Sequence, residues 1–275
     1  MGSGRRTLVD IPAYADKYRF TKLERTDGIL RLGLHTDGGP FQWNLDAQRE
    51  LVNVFTDVGA DRENRLIILT GTGDEFSGPY QSTTRTVYNE GGVSISSEGL
   101  DRVHWNAKHL MLRLLDIEVP IIGVANGPAK RHCELVLMSD IVIAADDATF
   151  EDTAHFELGS QVPGDGMAVV LTQIMGLNRA RYMMLTGQVV TAQQALAWGM
   201  VSEVMPRERL EGRAWELARQ LARKPDLLLR YSRIVLTQPL RDGMLENVQY
   251  HLALEALSSL QSHAHEKVDG PSGGS

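Results

Sequence analysis

The chain contains one cysteine, Cys133, among its 275 residues. An internal disulfide and a cysteine-based metal cluster are therefore excluded. Basic residues are also scarce, because lysine and arginine number 28 against 35 for aspartate and glutamate, which leaves a net charge of -7. No block of basic residues interrupts the chain. A nucleic acid or an anionic membrane is therefore not expected as a partner.

Long apolar segments are missing as well. The N-terminal stretch MGSGRRTLVDIPAYADKYRF contains basic residues but no apolar region of the kind that a signal peptide requires. No apolar run reaches the roughly 18 residues that a membrane helix needs. The sequence therefore predicts a soluble, cytoplasmic protein.

Short apolar segments, in contrast, recur along the first two thirds of the chain. GILRLGLHTD alternates, so that Leu30, Leu32 and Leu34 share one face of a half-buried strand. Continuous β-branched runs, typical of strands covered on both faces, occur at residues 64–73, 119–128 and 140–147. Helical patterns lie between them, including the stripe of Val103, Ala107, Leu110 and Leu114. The order of strand, helix and strand predicts an α/β fold with βαβ units.

The last third of the chain has mainly helical patterns. TAQQALAWGM begins with a threonine cap, and RERLEGRAWELARQLARK and LLLRYSRIVLTQ follow as helices. LRDGMLENVQYHLALEALSSLQ predicts a further helix of about 22 residues. These helices either cover their own domain or pack against another subunit. The tail HAHEKVDGPSGGS is predicted to be disordered.

The segment HFELGSQVPGDG places a histidine and an aspartate on either side of a Pro-Gly turn. The residues after the turn predict a helix, so that Asp165 lies at or just before its first residue, where the helix dipole stabilises an anion. Such a carboxylate can hold the imidazole of His155, which can then take a proton from water. Taken singly, Asp165 is more simply a helix cap and His155 a hydrogen-bonded loop residue.

Four motifs in this order resemble the crotonase (enoyl-CoA hydratase/isomerase) superfamily: IEVPIIGVANGP, MSDIVIAADDATFED, VPGDG and LTGQ. The resemblance implies an α/β fold in which stacked ββα turns form a spiral core over residues 18–205. It also implies a helical C-terminal trimerisation region over 206–262, with trimers often paired into hexamers. Residues 1–17 are then an N-terminal extension and 263–275 a disordered tail.

Five residues, His132, His155, Asp165, Trp43 and Glu255, carry a finer resemblance. By them the chain resembles the β-diketone hydrolases related to 6-oxocamphor hydrolase within that superfamily. The resemblance implies that His155, Asp165 and His132 are catalytic. It also implies an oxyanion hole of two backbone N–H groups, one near Gly78 and one near Arg131 or His132. The residues assigned to the substrate pocket are Trp43, Phe76, Tyr80, Glu134 and Glu255.

The chain also departs from its relatives. Gln48 and Leu254 stand where 6-oxocamphor hydrolase has histidines, and Pro79, which has no N–H, follows Gly78. KRHCEL replaces the glycine-rich turn of the coenzyme A-dependent hydratases. Glu134 aligns with one catalytic glutamate of those hydratases, but His155 occupies the region of the second. Cys133 is interpreted as a buried apolar residue rather than a nucleophile.

These observations favour a hydrolase that cleaves a carbon–carbon bond of a β-diketone, without coenzyme A, a metal or an organic cofactor, by a retro-Claisen reaction. Three alternatives remain at the level of sequence. The first is an enolate-based cyclase or isomerase of a natural product, and the second is a coenzyme A-thioester hydratase, isomerase or decarboxylase. The third is a non-catalytic module that keeps the trimeric scaffold.

Overall fold

The computed structural model describes residues 9–78, 97–156 and 161–268, which form a sheet rich in parallel strands with helices packed on it. The strands, in their order across the sheet, are β1 (Val9–Asp10), β2 (Thr21–Thr26), β3 (Ile29–Leu34), β4 (Leu66–Thr70), β5 (Ile121–Ala125), β6 (Ile141–Ala145) and β9 (Glu203–Met205). A separate antiparallel pair consists of β7 (Thr149–Phe150) and β8 (Val190–Thr191).

The pairing of the strands follows their apolar pattern. β1, β2 and β3 are antiparallel, whereas β3, β4, β5, β6 and β9 run parallel to one another. All five residues of β4 and of β5 are buried, as expected for strands that are covered on both faces. In β3, Leu30, Leu32 and Leu34 are almost fully buried. The predicted strands and their mixed α/β context are therefore confirmed.

The helices have the following bounds: α1 (Leu45–Ala60), α2 (Ser97–Asp116), α3 (Glu134–Leu137), α4 (Met167–Met175), α5 (Leu177–Thr186), α6 (Ala192–Ala197), α7 (Arg207–Leu221) and α8 (Asp226–Val268). Asn44 caps α1 by accepting from the Ala47 amide at 2.8 Å. Thr191 caps α6 in a capping box with Gln194, as the threonine in the sequence predicted. Of the stripe predicted on α2, Ala107, Leu110 and Leu114 are buried.

The C-terminal helices differ from the prediction. α7 packs on β4, β5 and β6, so it covers the sheet of its own chain. The two further helices that were predicted are one continuous helix, α8, with Pro239 inside it. That helix also includes residues 263–268, which were predicted to belong to a disordered tail. A proline removes one backbone hydrogen bond but leaves helical neighbours possible, and the packing of α8 against α2 and α4 supplies the compensating contacts.

Two loops at the carboxyl ends of β4 and β5 are joined by hydrogen bonds. The Phe76 amide donates to the Pro128 carbonyl at 3.0 Å, and the Lys130 amide donates to the Ser77 carbonyl at 2.8 Å. The buried hydroxyl of Ser77 donates to the Arg131 carbonyl. Because the carboxyl ends of parallel strands meet at one edge of a sheet, these contacts hold the loop after β5 in place there.

None of the described helices combines the length and the apolar character that a membrane span requires.

Candidate active site

The loop after β5 ends in a turn with an unusual backbone conformation at His132. This residue has a φ of 54°, in the left-handed region that a non-glycine residue seldom adopts. Its ring lies against Trp43, with centroids 3.8 Å apart and planes inclined by 34°. The hydrogen bond that the Ser77 hydroxyl donates to the carbonyl of Arg131, the residue before His132, anchors the same turn. A strained backbone that is held from two sides is typical of a functional site.

The second residue after His132 fixes its ring. Glu134, the first residue of α3, is completely buried, and its Oε1 lies 2.6 Å from His132 Nδ1. Glu134 Oε2 has no hydrogen-bond partner among the described residues. Burial raises the pKa of Glu134 above its usual value, an effect that His132 partly opposes. The contact with Glu134 engages Nδ1 and therefore orients the His132 ring.

His155 is enclosed by carboxylates on both sides of its ring. Nδ1 lies 2.9 Å from Asp152 Oδ1, while Nε2 lies 3.5 Å from Asp165 Oδ2 and 3.9 Å from Glu255 Oε1. Only 2% of His155 is exposed. The structure therefore corrects the predicted arrangement, because the carboxylate that binds His155 most closely is Asp152. Sequence inspection missed this residue, although its position three before His155 is the spacing of a local side-chain contact.

Asp165 lies between the two histidines. Its Oδ2 is 3.5 Å from His155 Nε2 and 3.4 Å from His132 Nδ1. Its Oδ1 accepts from the Met167 amide at 3.3 Å, at the first turn of α4. Asp165 thus combines the helix-end position predicted from the sequence with a place in the site, and Gly166 rather than Asp165 is the residue that immediately precedes the helix.

Glu255 reaches the same site from α8. The turn before Asp165 is attached to this part of α8, because the Gln161 side chain donates to Ser259 and the Val162 amide donates to the Ser258 hydroxyl at 3.2 Å. A Cβ atom at Gly164 would lie 2.5 Å from the His251 carbonyl oxygen and 2.8 Å from Glu255 Oε2. Only glycine therefore allows the turn to approach the helix this closely.

The buried charges set the protonation of the site. Burial alone would lower the pKa of His155, but the charges of Asp152 and Asp165 and the hydrogen bond that Asp152 accepts from the ring raise it to about 10. Burial raises the pKa of Glu255 to about 8, and the charge of Asp165 adds to this effect. These shifts favour the imidazolium form of His155 and the neutral acid form of Glu255. A base needs the neutral imidazole, because an imidazolium has no lone pair for a further proton, and the role of His155 as a base stays a prediction.

Arg131 and Cys133 flank His132. Arg131 is buried, its Nη1 donates to the Thr153 carbonyl at 3.2 Å, and its charge faces Asp165 and Asp152. Burial raises the pKa of Cys133 well above its usual value, so this thiol is not a thiolate at neutral pH. That result agrees with its interpretation as a buried apolar residue.

Three further predicted residues have different outcomes. The Gly78 amide donates to the Phe41 carbonyl at 2.9 Å, so in this structure it is not available to an oxyanion, and the prediction for Gly78 is wrong on this point. Phe76 is fully buried beside Pro128, and its place in a substrate pocket stays a prediction. Tyr80 lies outside the described residues.

One set of ligand atoms in the site is compact enough to surround a cation. His132, Glu134 and Asp165 each offer an atom within 4.8 Å of the others, and all three residues are buried. A cation bound there would displace the short contact between His132 Nδ1 and Glu134 Oε1. Carboxylates and an imidazole at this spacing also suit proton transfer.

Comparison with known proteins places this site in a family. The Enoyl-CoA hydratase/isomerase model matches residues 42–273. The solved structure of a beta-diketone hydrolase from the cyanobacterium Anabaena, bound to (S)-3-oxocyclohexyl acetic acid, is 37% identical with a TM-score of 0.86, and the match covers 92% of this chain and 99% of that one.

Curated relatives include coenzyme A enzymes. 1,2-Epoxyphenylacetyl-CoA isomerase of Escherichia coli is 31% identical over 72% of this chain and 74% of its own. The peroxisomal Enoyl-CoA delta isomerase 3 of Mus musculus is 30% identical over 70% of this chain, and the match spans 58% of that relative's length. With a family model that extends over most of its residues and a site built on the same scaffold, the chain belongs to the enoyl-CoA hydratase/isomerase family.

Proposed function

We propose that the protein hydrolyses a carbon–carbon bond of a β-diketone that is not bound to coenzyme A. The observation that carries this proposal is the pair of buried histidines, each held by its own carboxylate, with Asp165 within 3.5 Å of both. Two nitrogen acids and a carboxylate base suit a reaction that activates water, stabilises an oxyanion and then protonates an enolate. The similarity to the beta-diketone hydrolase of Anabaena supports the same assignment.

In the first step, water attacks one carbonyl carbon of the substrate and gives a proton to Asp165. The resulting oxyanion accepts a hydrogen bond from His132 Nε2, which carries the ring proton when Glu134 is the donor to Nδ1. A donor of this kind contributes roughly 10²–10³-fold to the rate. The backbone turn at Arg131 and His132 is the second candidate donor, since its strained conformation is held by Ser77.

In the second step, the tetrahedral intermediate collapses and the bond to the carbon between the carbonyls breaks. The bonding electrons pass to the second carbonyl as an enolate, and one product is released as a carboxylic acid. His155 protonates the enolate carbon. Asp165 then returns the proton that it took from water to His155 Nε2, across the 3.5 Å between them, and the resting site is restored. No step in this cycle requires a cofactor.

The remaining residues shape the pocket in this proposal. Trp43 forms an apolar wall against which His132 is held, and Glu255 is a neutral hydrogen-bond donor to the second carbonyl. We also propose that the protein assembles through α8, where Val235, Leu236 and Tyr250 are more than half exposed. Large exposed apolar side chains on one long helix are typical of an oligomer interface, so a trimer or hexamer remains the expected assembly.

Incubation with cyclic β-diketones in ¹⁸O-water tests the assignment. We expect ring opening with the gain of one water and one ¹⁸O in the new carboxyl group. An isomer of unchanged mass would instead indicate an enolate-based cyclase or isomerase. No turnover of any diketone, together with saturable turnover of a coenzyme A thioester, would replace the proposal.

The coenzyme A-thioester reaction is the second candidate, because the names of curated relatives, such as the 1,2-epoxyphenylacetyl-CoA isomerase, specify coenzyme A compounds as substrates. Against it, the turn at residues 130–132 carries the bulky side chains of Arg131 and His132, both buried. Binding of coenzyme A, measured by calorimetry, separates the two candidates. Tight binding favours the thioester enzyme, and its absence favours the diketone hydrolase.

A further inference from the structure

Asp152 makes three contacts through one oxygen atom. Its Oδ1 accepts from the Ala154 amide at 3.1 Å and from the His155 amide at 3.2 Å, and it lies 2.9 Å from His155 Nδ1. The carboxylate therefore fixes both the backbone of the loop and the ring of the histidine. Asp152 is itself buried.

The contact with Nδ1 determines which nitrogen of His155 faces the reaction. A ring whose Nδ1 donates to Asp152 presents Nε2 to Asp165 and Glu255, on the opposite side. A carboxylate that orients a histidine in this way fixes the tautomer and stabilises the imidazolium without exchanging protons with the substrate.

We propose that Asp152 is a positioning residue for the reaction, because it holds His155 by Nδ1 and keeps Nε2 directed at Asp165 as the proton donor to the enolate. This inference rests on the proposed function and adds a residue to it. Asp152 does not contact the reacting atoms and acts only through His155.

The charges around the His155 ring indicate what the loss of Asp152 would do. His155 faces Asp152 from its own loop, Asp165 from the turn before α4, and Glu255 from α8, while Arg131 faces Asp152 from the turn after β5. Burial opposes the charge of Asp152, but His155 outweighs this effect and lowers the pKa of Asp152. Removing the negative charge of Asp152 therefore lowers the pKa of His155, so that the imidazolium loses its proton at a lower pH than in the wild type.

Asp152→Asn removes this charge and keeps an oxygen for the two backbone amides. We expect kcat to fall roughly 10²–10⁴-fold with little change in KM, and the alkaline limb of the kcat profile to move to lower pH. Asp152→Glu keeps the charge and should recover part of the profile. Glu151→Gln is the matched control, because Glu151 is equally buried at 7% exposure but accepts from Thr149 instead of contacting His155.

A measurement without substrate separates this inference from the proposed function. Nitrogen NMR of the ¹⁵N-histidine protein follows the titration of His155, which is assigned by the signal missing in His155→Gln. We expect His155 to remain an imidazolium at pH 8 in the wild type and in Glu151→Gln, and to titrate at lower pH in Asp152→Asn. This result would stand even if no diketone were cleaved.

Two results would overturn the inference. One is a His155 titration that is the same in Asp152→Asn and in the wild type. The other is a wild-type kcat and pH profile in Asp152→Asn when the wild type does cleave a diketone. If Asp152→Asn fails to fold, the wild-type spectrum decides, because a His155 that titrates near its ordinary pKa contradicts a close contact with a carboxylate at Nδ1.

Discussion

The turn that carries His132 and the loop that carries His155 hold their histidines by different means. His132 depends on backbone shape, since it has a left-handed conformation, an anchored preceding carbonyl and the Trp43 ring against its side chain. His155 depends on charge, since carboxylates face both of its ring nitrogens. The comparison shows that one site can hold two histidines in two ways, one by the shape of the backbone and one by the charges of nearby carboxylates.

The largest expected effect is at Asp165, where the two regions meet. Asp165→Asn keeps the size of the side chain but removes the base of the proposed reaction, so we expect kcat to fall roughly 10²–10⁴-fold. The free energy of unfolding should also fall, by up to about 3–5 kcal/mol, because the variant takes one partner from the buried charges of His155 and Arg131. Steady-state kinetics and urea unfolding measure both. Asp242→Asn, at an exposed position on α8, is the control, and equal kcat values for the two variants would contradict the role of Asp165.

The next effect tests backbone shape at His132. His132→Asn and His132→Val should both lose roughly 10²–10³-fold in kcat, because each removes the imidazole donor. Only valine should also destabilise the fold, by about 1–2 kcal/mol more than asparagine, since a β-branched residue tolerates a φ of 54° poorly. Urea midpoints compare the two variants. Equal stability of the two would show that the left-handed turn does not constrain residue 132.

A third variant tests the attachment of the His155 region to α8. Gly164→Ala places a Cβ 2.5 Å from the His251 carbonyl oxygen, so we expect a loss of about 1–3 kcal/mol in stability. Gly212→Ala on α7 is the matched control, because its added Cβ meets no atom within 4 Å and alanine favours a helix. Thermal unfolding compares the two variants. A melting temperature of Gly164→Ala equal to or above that of Gly212→Ala would contradict the close approach of the Gly164 turn to α8.

The last prediction concerns the pH dependence of stability. His155, with its pKa raised to about 10 from 6.5, and Glu255, raised to about 8 from 4.5, bind protons more tightly in the folded chain than in the unfolded one. The unfolded chain therefore binds fewer protons over these intervals, and stability falls as pH rises. Glu255→Gln should remove the part of this decline between pH 4.5 and 8, by at most about 1.4 kcal/mol per pH unit. Urea unfolding at several pH values measures the slope, and an unchanged slope in the variant would contradict a buried neutral Glu255.

Part of the site could be predicted from the sequence because its residues belong to motifs. His132, His155, Asp165 and Glu255 were identified in this way, and the structure brings all four together. Asp152 was missed because an aspartate three residues before a histidine is common and has no motif of its own. The Gly78 donor was wrong because the partner of its amide, the Phe41 carbonyl, lies 37 residues earlier and no local pattern reveals it.

The sequence by itself determined the strands β3, β4, β5 and β6, the Thr191 cap and the family of the fold, since apolar periodicity and local hydrogen bonding act over a few residues. It did not determine the fusion of two predicted helices into α8, because the cost of Pro239 in the helix is offset only by packing against α2 and α4. Nor did it determine which carboxylate holds which histidine. Only the tertiary structure decided that, because the charge of a buried ring depends on every carboxylate within 4 Å of it, and two of the three around His155, Asp165 and Glu255, come from other segments.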